Sequence, residues 1–155
     1  MSSPFVRVEV KNDLRIVYFR ADGSSAIYLG GRKAWRLHNP GNIAYGNGRL
    51  VKELGAIGHL HATAIFPDYG TGRKAMFTGL GQAAYQKRTL ALAIKAWAPG
   101  EDHNDPVKYA AQVQHWTGLD MNRLVESLSN AELVKFVDAI ERKEGKEAGK
   151  VMEIP

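Results

Sequence analysis

The sequence contains no cysteine. That excludes disulfides, thiolate nucleophiles and cysteine-based zinc sites. No apolar run is long enough to span a bilayer, so membrane insertion is not expected. The basic residues are spread along the chain and form no polybasic tract, which weakens a nucleic-acid reading. Internal repeats, low-complexity tracts and flexible linkers are also missing. The start, MSSPFVRVEV, lacks the basic and then hydrophobic order of a secretory signal. The expectation is synthesis in the cytoplasm and, for work outside it, delivery by something other than general secretion.

What is present is enough for one folded domain. The chain has 155 residues, of which 45% are hydrophobic, so a real core can form and global disorder is disfavoured. A formal charge of +5 favours an anionic partner such as nucleic acid, cell wall or a membrane surface, and does not choose among them.

Residues 5–20, FVRVEVKNDLRIVYFR, alternate apolar and polar around Lys11-Asn12-Asp13, the pattern of a β-hairpin. A further strand is expected at Ser25 to Leu29. From Gly30 to Gly72 the chain is rich in Gly, Asn, Pro and aromatics and reads as ordered loops with short strands, one near residues 64–66. Helical spacing begins at Arg73 and reaches Gln86, weakened by Gly79 and Gly81. Thr89 is positioned to cap a helix that reaches Trp97, with Pro99-Gly100 stopping it. Asp105 and Pro106 supply the N-cap and first position of the next helix, which has Tyr109, Val113 and Trp116 on one face and Gly118 at its end. Ser129 and Glu132 form a capping box for a last helix that runs to Glu144 and stops at Gly145. The simplest account is one α+β domain over residues 1–155, with a hairpin extension (1–30) before a mostly helical core (31–150).

The end of the last helix carries the first chemical candidate. At about 100° per residue, Leu133, Val137 and Ile140 form a narrow apolar stripe, and Glu144 falls roughly 20° from Leu133 on it. Glu141 and Glu147 fall off that line. A carboxyl group that is partly desolvated, at the negative end of a helix dipole, resists ionisation. Such an acid suits protonation of a glycosidic oxygen. The plain alternative is a solvated glutamate in a charged tail, ERKEGKEAGK.

The second candidate is the segment AWRLHNPGNIAYG at 34–46. A phosphate cradle would need a strand–loop–helix context that is absent. A bare turn would not need so many amides. Pro40-Gly41 supplies a bend, Ile43 an anchor, and Asn39 and Asn42 either brace the loop or offer amides to a ligand.

Taken in order, WRLHNPGNIAYG, GAIG (55–58), AIFPDYGTGRKAM (64–76), the run at 89–113, TGLD (117–120) and AIERKEG (139–145) resemble a family of small lysozyme-like proteins. Its members have an NPGNI loop near the start and a helix ending in Glu-Gly near the finish. They occur as phage structural or lytic proteins and as type VI secretion effectors that cleave peptidoglycan glycan strands. The likeness covers residues 34–150 and leaves the hairpin outside. It implies a lysozyme-like fold in circularly permuted order, with Glu144 as general acid beside Asn39 to Ile43. The family usually has Asn where this chain has His38, and HLHAT departs from an acidic, Gly-rich turn.

Hydrolysis normally needs a second carboxylate. Glu53, just before GAIG, is preferred over Asp68, which sits in a turn, and over Glu101 and Asp102, which follow a helix stop. Without a partner, a lytic transglycosylase reaction becomes the alternative, since it needs one carboxylate. Tyr45, Tyr69 and Trp97, with Trp35, are candidates to stack on sugar rings. His59 and His61 lack a third metal ligand at recognisable spacing, and no metal or cofactor is expected. His115 and Trp116 read as core or groove wall. The function expected is a peptidoglycan glycosidase, delivered by a phage or secretion machine and opposed by an immunity protein in the groove. A non-enzymatic wall-binding tail component is the second reading, and a nucleic-acid module the third.

Overall fold

The computed structural model of the chain describes residues 3–97 and 105–155. The expected helix stop at Pro99-Gly100 and the carboxylates of Glu101 and Asp102 lie outside the described residues. The fold is mixed α+β and divides into two compact units. One comprises residues 1–76 and 144–155, the other residues 77–143.

The first unit is built on a four-stranded antiparallel sheet. Strands β1 (Phe5–Asn12) and β2 (Arg15–Arg20) form the expected hairpin. Its turn is fixed by the Asn12 side chain, which accepts from the Leu14 backbone N–H at 2.9 Å. Strand β3 (Ser25–Leu29) pairs with β2 over the residues expected for it. A register shift between Phe5 and Arg7 marks a bulge in β1. Such an extra residue changes which side chains share a face. Phe5 and Val8, three apart, both pack on the cluster of Ile16, Tyr18, Leu37, Leu60 and Ile65. Burying each aliphatic member of that cluster contributes about 1.5–3 kcal/mol.

The fourth strand is one that the sequence reading lacks. β6 (Lys150–Ile154) returns from the C-terminal end and lies against the free side of β3, Met152 opposite Ile27. The chain reaches it through Gly149, where a Cβ would stand 2.0 Å from the Leu29 carbonyl oxygen, so only glycine passes.

Residues 30–72 hold more helix than loop chemistry suggests. After β3 come α1 (Lys33–Arg36) and α2 (Arg49–Glu53), then the hairpin β4 (Gly58–Leu60) and β5 (Thr63–Ile65). Both helices are single turns, too short to display a 3.6-residue period. Helix α3 (Tyr69–Leu80) starts four residues before the expected Arg73, and the chain passes from the first unit into the second within it.

The second unit is helical. The spacing that suggested one helix to Gln86 is split at Gly81-Gln82, beyond which α4 (Ala83–Gln86) forms. Helix α5 (Leu90–Trp97) has the expected cap, Thr89 Oγ1 accepting from the Leu92 N–H. In α6 (Pro106–Thr117), the Asp105 side chain accepts from the N–H groups of Val107 and Lys108, and Gly118 closes the end at φ 73°. A 3-10 turn at Val125–Ser127 leads to α7 (Asn130–Glu144). The capping box forms in both directions: Ser129 N–H donates to Glu132, and Glu132 N–H to Ser129 Oγ.

Candidate functional site

The 37–45 loop is held along β5 by its backbone. Phe66 N–H donates to the Leu37 carbonyl, Ala64 N–H to Ile43, and Tyr45 N–H to Ala62. Asn39 completes the clamp. It is fully buried, its amide nitrogen donates to the carbonyls of Ile43 and Ala64, and its oxygen accepts from the Ile43 N–H at 2.8 Å. Of the two roles left open for Asn39, bracing is the one that it fills. Both amide N–H groups and one oxygen lone pair are spent on the protein, and the residue has no exposed surface to offer a ligand. Asn42 differs. It adopts φ 52°, and its side-chain oxygen is buried without a hydrogen-bond partner. Ile43 anchors the loop by packing with Tyr45 and Leu54 on the cluster of Val51, Ala56, Ala64, Phe66 and Ala75.

Glu144 is the last residue of α7 and is half-buried. Arg32, the residue before α1, donates to the Glu144 carbonyl from Nη2 at 2.9 Å and from Nε at 3.2 Å. Its own backbone N–H donates to the Glu147 carbonyl at 2.8 Å. Gly145 then turns the chain at φ 79°, and a Cβ there would meet the Arg32 side chain at 2.7 Å. Within the first unit, Glu144 is thereby fastened to the stem of the segment that runs into the Asn39–Ile43 loop. A lone arginine in GGRKAW carries no pattern that marks Arg32 from sequence.

The stripe on α7 is broader than expected. Phe136, Val137, Ala139, Ile140 and Glu141 are buried, while Leu133 is half-buried. Glu141, expected off the apolar line, is 6% exposed. It follows Val137 by four residues as Glu144 follows Ile140, so a wider buried face includes both. Glu147 lies beyond the helix and is exposed.

A cleft of about 710 Å³ opens in the same unit, lined among others by Tyr28, Trp35, His38, Asp68, Tyr69 and Lys146. His38 is buried at its inner side and uses Nδ1 to contact the Phe66 carbonyl at 3.1 Å. Burial lowers its pKa from the ordinary histidine value. A neutral ring that donates from Nδ1 presents Nε2 as an acceptor. Asp68 directs one carboxylate oxygen to the N–H and hydroxyl of Thr71, capping the first turn of α3. Gly72 lets that helix approach: a Cβ there would lie 2.1 Å from the His38 carbonyl oxygen.

The remaining candidates each have their own local setting. Glu53 is exposed at the end of α2. Tyr45 is half-buried with its ring 4.5 Å from that of His59. His61 pairs with Asp13 at 2.9 Å. Trp97 belongs to the second unit, where it packs edge-on against Tyr85 at 5.7 Å. Trp116, in the same unit, lies under the Arg142 guanidinium at 4.2 Å. No cluster of three metal-ligating side chains occurs among the described residues. No family model matches the chain, and no curated protein matches its sequence.

Proposed function

We propose that the protein is a peptidoglycan glycosidase with Glu144 as general acid. The observation that carries this reading is the double hydrogen bond from Arg32 to the Glu144 carbonyl. It fastens a half-buried glutamate, at the C-terminal end of a helix, in the unit that also holds the NPGNI loop. In this reading a lysozyme-like arrangement is met in permuted order. Glu144 delivers its proton to the glycosidic oxygen as the bond to the anomeric carbon breaks. Glu53 then activates water for attack on the sugar cation. The positive charge of the chain favours the anionic wall. Delivery is by a phage or secretion machine into the wall of a target cell, and an immunity protein fits the open groove.

One observation favours transglycosylation as the second reading. Asp68 spends a carboxylate oxygen on its cap, and Glu53 stands in solvent. A reaction with one carboxylate uses the sugar's own 6-hydroxyl as nucleophile, and Glu144 serves as acid and then base. Wild type and Glu144→Gln are compared on purified peptidoglycan. Loss of clearing in the variant supports the assignment, and equal clearing removes it. Mass spectrometry separates reducing ends from anhydro ends. A wild type that binds but never cleaves would favour the wall-binding tail component.

A further inference from the structure

The cleft draws half of its walls from outside the segment that carries the family resemblance. Phe5, Arg20, Tyr28 and Glu153 come from the sheet and lie outside that segment; Trp35, from α1, and His38, from the 37–45 loop, lie within it. Tyr28 packs on Trp35 at 5.1 Å and edge-on to His38 at 4.8 Å, so the aromatic lining is continuous.

Its polar groups are of a particular kind. The Arg20 side chain is only 8% exposed and forms a two-pronged pair with Glu153 at 2.9 and 3.1 Å, under the face of Phe5. Its Nε is buried with no hydrogen-bond partner. Nε2 of His38 and the hydroxyl of Tyr28 make no hydrogen bond among the described residues, and neither is among the sealed, unpartnered atoms. The cleft therefore offers an acceptor and a hydroxyl between apolar faces.

Charge narrows the ligand. Arg20 is balanced by Glu153, and the lining holds one further cation, Lys146, and one further anion, Asp68. A phosphate or a strongly cationic ligand would meet no excess of opposite charge. A neutral pyranose fits better, because its C–H face packs on aromatic rings and its edge supplies hydroxyl and N–H groups.

We infer that this sheet-walled cleft is a saccharide-binding subsite, in which His38 Nε2 accepts a hydrogen bond from the sugar edge and Tyr28 and Trp35 hold the ring. The choice of an N-acetylated glucosamine chain as the probe rests on the proposed function.

His38→Asn is the discriminating variant. Asn tolerates the positive φ of 51° at this position and keeps an amide near the Phe66 carbonyl, but it ends short of Nε2. Chitotetraose is titrated into wild type and the inactive Glu144→Gln protein, up to about 10 mM, a range suited to a weak site. Histidine-ring and tryptophan-indole ¹⁵N shifts are followed by NMR. The expected result is movement of the His38 Nε2 and Trp35 signals with saturation, and affinity about five- to ten-fold weaker in His38→Asn, the loss of one hydrogen bond. Tyr28→Phe, which removes only the hydroxyl, should weaken binding less. No movement at His38 and Trp35, or equal affinity in wild type and His38→Asn, overturns the subsite. Binding without wall cleavage keeps the subsite and removes the glycosidase. Cleavage abolished by Glu144→Gln, with these signals unmoved, does the reverse.

Discussion

Arg32 grips the backbone carbonyl of Glu144 through two guanidinium nitrogens while its own N–H holds Glu147. The contact caps the negative end of α7 with a cation and satisfies a carbonyl that the helix leaves open. It also fixes where the Glu144 side chain begins.

Arg32→Gln keeps part of the donor capacity and loses the charge and the two-nitrogen grip. Because Arg32 is exposed, the stability loss should stay under about 1 kcal/mol. If Glu144 is the acid, displacement of its backbone should lower wall-clearing rates by about ten- to hundred-fold. Thermal melts and turbidity assays on one preparation check both.

Asn39→Asp replaces an amide that donates to two carbonyls with a group that only accepts. Two carbonyls then lose their donor and face a buried charge. Asn39→Ala should cost about 2–4 kcal/mol, from three lost hydrogen bonds and the unpaired groups left behind. Asn39→Asp should cost more near neutral pH and recover part of the loss in acid, as the carboxyl group regains a proton. Urea denaturation at two pH values measures the difference.

Glu132 is pulled down to about 2, first by the Arg123 guanidinium and then by the Ser129 N–H. Its unfolded value is near 4.5. The folded state gains stability from the ionised form above that value and loses it as pH falls toward 2. Glu132→Gln should therefore melt earlier than wild type at pH 7, with the gap closing between pH 4.5 and 2. Melts across that range test it.

His38 titrates with the opposite charge and the same sense. Burial lowers its folded pKa, so the unfolded chain gains a proton first as pH falls through about 6.5. Stability present above that value should decline below it. In His38→Asn the decline between pH 7 and 5 should be shallower, as read from denaturation midpoints.

Helix ends were the most legible part of the fold. Thr89, Asp105, Ser129 and Glu132 cap as their spacing implies, because capping is local chemistry. Strand β6 was not legible: all five of its residues are exposed, so it has no apolar alternation, and it exists by pairing with β3. The burial of Glu141 is illegible for a related reason. A stripe drawn through Leu133, Val137 and Ile140 omits Phe136, whose full burial shows the wider face. At the candidate site, residue type leaves bracing and ligand contact both open for Asn39, and only its burial and its three hydrogen bonds choose between them. The role of Arg32 could not be read from sequence, because its partner stands 112 positions away.

The most direct measurement of the central claim is the rate of glycan cleavage by wild type and Glu144→Gln, with folding of both verified by circular dichroism. Soluble muropeptide fragments are expected from wild type, with at least about a hundred-fold slower release from the variant, the scale of a lost general acid. Equal release by the two proteins would contradict it.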